Sequence, residues 1–148
     1  MRAKRVLTGL AAFVAVLTGT SLAAPTASAA DLYGCPDFNL CFYFNSNFEG
    51  ALANYAYSDG NLDNEVFRWG GTNGRGVQVK NNAASVINNA GWTATVYYNS
   101  GCNGSVASQS FGMYGGHNFT ATMKNNNASF KWPSVGGLFS DCGNRDQD

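Results

Sequence analysis

The residues that could perform catalysis are few in this 148-residue chain. The chain has one histidine, His117, so a metal site built from several histidines is excluded. Ser108 and Ser110 lie close to His117 in the sequence, but no Gly-x-Ser-x-Gly motif accompanies them. Asp63 and Glu65 would share one side of an extended strand, as a glycosidase pair might, yet exposed acidic pairs are commoner than catalytic ones. We therefore expect no enzymatic activity.

The first 30 residues have the pattern of a secretory signal peptide. Three basic residues, Arg2, Lys4 and Arg5, precede an apolar run over residues 6–17, and small residues follow up to Ala30. This run is shorter than the roughly 20 apolar residues that span a bilayer. We predict that residues 1–30 are removed and that residues 31–148 form one secreted, extracellular domain without membrane contact. An uncleaved anchor is the alternative.

The charge balance excludes some partners. The whole chain has nine basic and nine acidic residues, and residues 31–148 keep six basic against nine acidic ones, a net charge of −3. A nucleic-acid-binding domain would be basic, so we expect no nucleic-acid partner. The predicted domain is long enough for one modest hydrophobic core, and we expect it to be monomeric.

The four cysteines are Cys35, Cys41, Cys102 and Cys142, all in the exported part of the chain, where disulfides persist. Four cysteines allow three pairings. We favour Cys35 with Cys41, because they lie close in sequence and Pro36 helps to turn the chain, which leaves Cys102 with Cys142. A zinc site is disfavoured, since no Cys-x-x-Cys spacing or neighbouring histidine is present.

The remaining sequence is typical of short β-strands. Aromatic residues alternate with polar ones, and clusters of Gly and Asn supply turns between them. Alternation predicts strands over residues 77–79, 92–98, 119–123 and 128–132. The Gly-rich segment 70–76 lacks the Lys-Ser/Thr ending of a phosphate-binding loop and is interpreted as a flexible surface loop. This pattern predicts an all-β domain.

Two blocks of sequence occur twice. Residues 43–50 are echoed by residues 97–104, and residues 79–86 by residues 123–130. The spacing between copies is 54 residues for the first block and 44 for the second, so the first copy has about ten extra residues within segment 58–76. Each copy fits a four-stranded Greek key, and two such keys form a sandwich.

Three motifs occur in the exported part of the chain: Cys35-Pro36 with Cys41 and Tyr43, then Phe48-Glu49-Gly50, then the Asn-rich run over residues 81–88. Together they resemble peptidase inhibitor family I36, a family of secreted bacterial proteins with the βγ-crystallin fold. The resemblance implies a βγ-crystallin-like sandwich of two Greek-key motifs. It also implies an inhibitor whose partner is a secreted protease, with thermolysin-type metalloproteases the known target of the best understood member.

An inhibitor of this kind needs an exposed loop that is held rigid, because pre-organisation lowers the entropic cost of docking. The segment that we choose lies between two predicted strands, where a Cys102–Cys142 bridge would hold it. It consists of Asn99, Ser100, Gly101, Cys102, Asn103, Gly104, Ser105 and Val106. The family's inhibitory loop is flanked by closely spaced cysteines, whereas this segment contains only Cys102. The alternative is an ordinary hairpin joined to the tail by a disulfide.

Calcium is the metal that the resemblance implies. In βγ-crystallins, Asn/Asp-Asn/Asp-x-x-Ser/Thr-Ser motifs build two calcium sites, and the matching residues here are Asn82, Ser85, Asn126 and Ser129. Because neither motif contains a carboxylate, we expect weak binding at best, with dissociation constants of ~10⁻⁴ to 10⁻³ M, and no required cofactor. The alternative is that the Asn pairs cap turns with their side-chain amides.

The alternative function is a calcium-binding structural module of the βγ-crystallin type, or a module that binds carbohydrate or the cell envelope, in either case without inhibitory activity. Carbohydrate binding is suggested by the tryptophans of the chain, whose flat faces could stack on sugar rings. Trp92 and Trp132 lie in alternating segments and are expected in the core. Trp69, beside the Gly-rich segment, is the candidate for such a contact.

Overall fold

The computed structural model describes residues 33–133 and Cys142. The predicted signal peptide lies outside the described residues, and the boundary at residue 31 stays a prediction. Within these described residues, eight strands and one 3₁₀ turn, Ser46–Phe48, follow each other. The strands are β1 Leu40–Tyr43, β2 Ala51–Tyr55, β3 Trp69–Gly70, β4 Ser85–Asn88, β5 Ala94–Asn99, β6 Asn103–Phe111, β7 Gly115–Asn118 and β8 Ser129–Lys131. No helix in this part of the chain is long and apolar enough to cross a bilayer.

The strands form two antiparallel sheets, with the orders β3-β2-β1-β4-β7 and β6-β5-β8. The two predicted keys exchange strands between these sheets. Strand β7 belongs to the second half of the sequence but pairs with β4, with Ser85 opposite Asn118. In return, Asp59 of the first half bridges to Phe130 of β8 through two backbone hydrogen bonds of 3.0 and 2.8 Å. The predicted all-β sandwich of two Greek keys is confirmed.

The main core lies between the sheets and is dominated by aromatic rings. Phe42 of β1 is central, with ring centroids 5.6 Å from Tyr55, 6.2 Å from Phe119 and 5.7 Å from Phe130. Trp132 is buried as expected, while Trp92 is partly buried against it. The core therefore joins residues from both keys. The largest fully buried side chains are Tyr43, Tyr55, Phe42, Phe67, Phe111, Phe130, Leu40, Leu62, Ile87, Met123, Val79 and Val86.

A second, smaller cluster covers the outer face of the five-stranded sheet. It contains Cys35, Cys41, Tyr43, Leu52 and Ile87. The predicted disulfide between Cys35 and Cys41 is present, with a Cα–Cα distance of 5.8 Å. Both faces of β1 are consequently buried, although alternation along an exposed sheet would leave one face in water.

The extra residues of the first copy form β3 and the turns around it. Strand β3 extends the five-stranded sheet, with Trp69 opposite Leu52. The Gly-rich segment 70–76 packs against the β1–β2 connection, because the Ala51 amide donates to the Asn73 carbonyl at 2.8 Å. Gly74 lies against the Phe44 ring, so that a side-chain carbon at Gly74 would overlap the ring. This segment is part of the folded domain.

Two expected strands are wrong. Residues 121–125 form turns, in which the Met123 and Lys124 amides both donate to the Thr120 carbonyl. Phe119 and Met123 are both buried. Residues four apart share a face in a strand and in a helical turn alike, so the alternation could not separate the two. In segment 77–79 only Gln78 forms a bridge, to Val66.

Candidate functional site

The proposed inhibitory segment, residues 99–106, forms the connection between β5 and β6 and the start of β6. Asn99 ends β5, and residues 100–102 make the turn. The expectation of a loop lying between two strands is therefore corrected, because Asn103 to Val106 already belong to β6. Among the described residues, β6 pairs only with β5 and is an edge strand.

The start of β6 is bulged. Tyr97 lies opposite Ser108, and Asn99 lies opposite Asn103. Between these pairs, β6 has four residues, 104–107, where β5 has only Tyr98. A bulge of this kind pushes a strand out of its ladder and redirects its side chains. The most exposed large apolar side chain in the bulge is Val106, at 61% of its maximum. The bulge thus presents one apolar group on an otherwise polar, glycine-containing surface.

Hydrogen bonds fix the shape of this bulge. The Ser105 amide donates to the Asn103 side-chain oxygen at 2.9 Å, which is the geometry of an Asx turn. The Asn99 side-chain amide donates to the Ser105 hydroxyl at 3.4 Å. Short side chains that bond their own backbone in this way limit the conformations of an exposed segment. The bulge is therefore pre-organised from within.

The turn before the bulge is held from the opposite side. Cys102 forms the predicted disulfide with Cys142, with a Cα–Cα distance of 5.9 Å. The Cys102 amide donates to the Ser129 hydroxyl at 3.0 Å, and that hydroxyl donates to the Asn99 carbonyl at 2.7 Å. The Gly101 amide donates to the Gly60 carbonyl at 2.7 Å. Three separate segments thus anchor a turn of three residues.

The first key contains the same arrangement. The Phe48 amide donates to the Ser85 hydroxyl at 3.0 Å, and this hydroxyl donates to the Asn45 carbonyl at 2.6 Å. Phe48 and Cys102 occupy equivalent positions in the two repeats, and both have positive φ angles, 61° and 51°. Where the second key has its disulfide, the first key packs the Phe48 ring between Tyr33 and Tyr43, with centroid distances of 5.0 and 5.9 Å.

The two Asn-Asn loops pair with each other through reciprocal backbone hydrogen bonds. The Asn81 amide donates to the Asn127 carbonyl at 2.8 Å, and the Asn125 amide donates to the Ala83 carbonyl at 2.9 Å. The fully buried side chain of Asn127 donates to the Ala83 carbonyl at 2.8 Å. Hydrogen bonds between these loops therefore link the two keys.

The four residues nominated for the two calcium sites make hydrogen bonds to the backbone near them, and calcium binding by them stays a prediction. Asn82 borders a hollow of about 240 Å³ with Asn45, Ser46 and Lys124. The Asn82 side-chain amide donates to the Lys80 carbonyl at 2.9 Å, and the Asn126 side-chain amide donates to the Thr122 carbonyl at 3.1 Å, which are turn-capping contacts. The Ser85 and Ser129 hydroxyls bond the hairpin backbones described above.

The residues considered for catalysis are not assembled into a catalytic site. His117 is exposed on β7, and the Ser110 hydroxyl contacts that of Thr95, 3.0 Å away. Glu65 is buried beside Arg68, whereas Asp63 is exposed. A hydrogen bond from Asn61 and the nearby Lys80 ammonium lower the pKa of Asp63, which is the wrong direction for a general acid.

The fold defines the class of protein first. The architecture is that of the βγ-crystallins: a structure solved in work on the evolution of the eye lens βγ-crystallin domain fold matches with a TM-score of 0.54 and 12% identity, over 69% of this chain and 92% of that one. A βγ-crystallin from Ciona intestinalis matches with a TM-score of 0.49 and 16% identity, over 64% and 99% of the chains. No curated protein matches the sequence.

The family follows from the sequence itself. The model of peptidase inhibitor family I36 matches residues 28–109, which is more than half of the chain. The chain belongs to this family. A peptidase inhibitor has a non-enzymatic role, so the expectation of no enzymatic activity is confirmed. The matched stretch includes both equivalent turns and the whole of the bulged segment.

Proposed function

We propose that the protein is a secreted, monomeric inhibitor of an extracellular metalloprotease of the thermolysin type, and that the β6 bulge occupies the protease cleft. The observation that carries this proposal is the bulge at residues 104–107, exposed on an edge strand and held beside a disulfide. Family membership supports the kind of partner, a peptidase. The Cys35–Cys41 and Cys102–Cys142 disulfides support an extracellular location.

The geometry suits strand addition, in which an extended segment pairs its backbone with the edge of a partner and places side chains in adjacent pockets. Strand β6 has a free edge among the described residues, and Val106 is available as the anchoring side chain. Since the turn is fixed by Ser129, Cys142 and Gly60, docking orders few additional residues. A lower ordering cost leaves more of the contact energy for affinity.

The experiment is a titration of residues 31–148 against purified metallo-, serine and cysteine proteases. We expect stoichiometric inhibition of a metalloprotease. Val106→Asp then raises the inhibition constant by about 30-fold or more, because a central anchor carries at least ~2 kcal/mol of binding energy. Its Tm should stay within about 2 °C of the original, since the replaced side chain is exposed.

Met113→Asp is the matched control for this substitution. Met113 has the same exposure as Val106, 61%, and follows the opposite end of β6. The control variant should inhibit as well as the unaltered protein. Equal losses from both substitutions would contradict the placement of the site, and a panel in which no metalloprotease is inhibited would contradict the proposed target.

Trp69 supports the second candidate function, a carbohydrate-binding or envelope-binding module. Its side chain is 61% exposed on β3, and two hollows are lined by both Trp69 and Asn54. If no protease is inhibited, binding to cell-wall polysaccharide that is lost in Trp69→Ala would favour this module. The inhibitor proposal predicts that Trp69→Ala leaves inhibition unchanged.

A further inference from the structure

The two Asn-Asn loops each carry a lysine at the equivalent position, Lys80 and Lys124. Lys124 borders the hollow formed with Asn45, Ser46 and Asn82, next to the first hairpin. Lys80 reaches towards the second hairpin, where its ammonium donates to the Asn61 side-chain oxygen at 2.8 Å. The Ser100 hydroxyl donates to the same oxygen at 3.1 Å. Ser100 is the repeat equivalent of Ser46, so each lysine, directly before an Asn-Asn motif that the resemblance nominates for calcium, lies near the hairpin of the other key.

The oxygen atoms around Lys80 are already in use. The Asn61 side-chain oxygen accepts hydrogen bonds from both Lys80 and Ser100. Calcium requires six to eight oxygen ligands, several of them carboxylates in tight sites. The carboxylate near this position is that of Asp63, whose oxygen lies 3.5 Å from the Lys80 nitrogen. The donor set therefore fits an ammonium group and does not fit a calcium ion.

We propose that the Lys80 ammonium is a built-in cation that replaces calcium at this position and ties the first Asn-Asn loop to the second hairpin. The side chain is well placed for this role, with 24% exposure against 45% for Asp63. It connects three elements that are distant in sequence: the loop after residue 79, the segment 61–63, and Ser100 in the turn before the bulge. The chain itself thus supplies the cation that links these elements, through a hydrogen bond and an ion pair.

The experiment measures thermal stability and calcium binding of residues 31–148. We expect 5 mM calcium chloride to change the Tm by no more than 5 mM magnesium chloride does, and calorimetric titration to show no calcium binding. We expect Lys80→Met to lower the Tm by about 4 °C, because a partly buried charged contact is lost. Lys80→Arg keeps a cation and should lose less than half as much.

Lys124→Met is the matched control, because the Lys124 ammonium has no hydrogen-bond or ion-pair partner within residues 33–133. We therefore expect Lys124→Met to change the Tm by less than about 1 °C. A calcium-specific rise in the Tm of the unaltered protein would overturn the proposal. So would a Lys80→Met variant as stable as the original, or a Lys80→Arg variant as unstable as Lys80→Met. These measurements do not involve a protease, so their result is independent of the inhibitor proposal.

Discussion

Two buried serine hydroxyls hold the backbones of the two hairpins. The Ser85 and Ser129 hydroxyls each accept from one backbone amide and donate to one carbonyl of a hairpin. Removing either hydroxyl would leave an amide and a carbonyl without their partner, which destabilises a fold with or without metal. A loss of stability in serine variants would therefore say nothing about calcium. The informative residue is Lys80, which the sequence pattern alone did not single out.

Tyr43 and Tyr55 form a matched pair of buried tyrosines. The Tyr43 hydroxyl donates to the Tyr33 carbonyl at 3.2 Å, whereas the buried Tyr55 hydroxyl has no hydrogen-bond partner among the described residues. An unpartnered buried hydroxyl is unfavourable, so Tyr55→Phe should raise the free energy of unfolding by about 1 kcal/mol. Tyr43→Phe should lower it by a similar amount. Urea denaturation of both variants measures this, and a destabilised Tyr55→Phe would contradict the expectation.

Tyr55 should also make the free energy of unfolding depend on pH in the alkaline range. Burial, followed by the Glu65 and Asp59 carboxylates, raises the pKa of Tyr55 well above its ordinary value of 10.0. Above pH 10 the unfolded chain loses this proton while the folded protein retains it, so stability falls as the pH rises. Tyr55→Phe removes this contribution and should flatten the loss of stability above pH 10. An unchanged alkaline profile would mean that Tyr55 ionises alike in both states.

The repeated elements explain which parts of the structure could be predicted from the sequence. Echoed blocks located both keys, and the cysteine spacing gave both disulfides. The strand exchange through β7 and Asp59 was not predictable, because it depends on pairing between residues far apart in sequence. The Lys80 contact was missed for a related reason. Asn61 lies in segment 58–76, in which the first copy is about ten residues longer than the second, so the repeat does not indicate what this residue contacts.

The two disulfides should differ in their effects because they support different elements. Replacing Cys102 and Cys142 by Ala should cost about 4 kcal/mol by the loop-entropy model, since 40 residues separate them, and should weaken inhibition at least tenfold. Replacing Cys35 and Cys41, six residues apart, should cost about 2 kcal/mol of loop entropy in addition to lost packing. That bridge lies on the outer face of the five-stranded sheet, so inhibition below the Tm should be retained.

Denaturant titrations and inhibition assays at a temperature where all variants are folded separate the two effects. The Cys35–Cys41 double variant serves as the control for general destabilisation. Similar weakening of inhibition in both double variants would mean that overall stability, and not the support of the β6 bulge, controls the activity.

At the scale of the whole molecule, the exchanged strands make the two keys depend on each other. Strand β7 has its partner, β4, in the first key, and Phe130 of β8 bridges to Asp59. Phe42 packs against Phe119 and Phe130 of the second half. The Asn-Asn loops add hydrogen bonds between Asn81 and Asn127 and between Ala83 and Asn125. Each key alone would therefore expose both an unpaired sheet edge and one half of the aromatic core.

Unfolding should accordingly be a single cooperative transition, in which tryptophan fluorescence and far-UV circular dichroism change together in urea. A fragment of residues 31–90 should be unfolded by circular dichroism and amide-proton dispersion, because it lacks β7 and the ring of Phe130. A fragment of residues 91–148 should be unfolded for the reciprocal reason, the loss of β4 and of the Asp59 bridge. A folded first fragment, or two separate transitions in the intact protein, would show that the keys are independent and that the exchanged strands contribute little to stability.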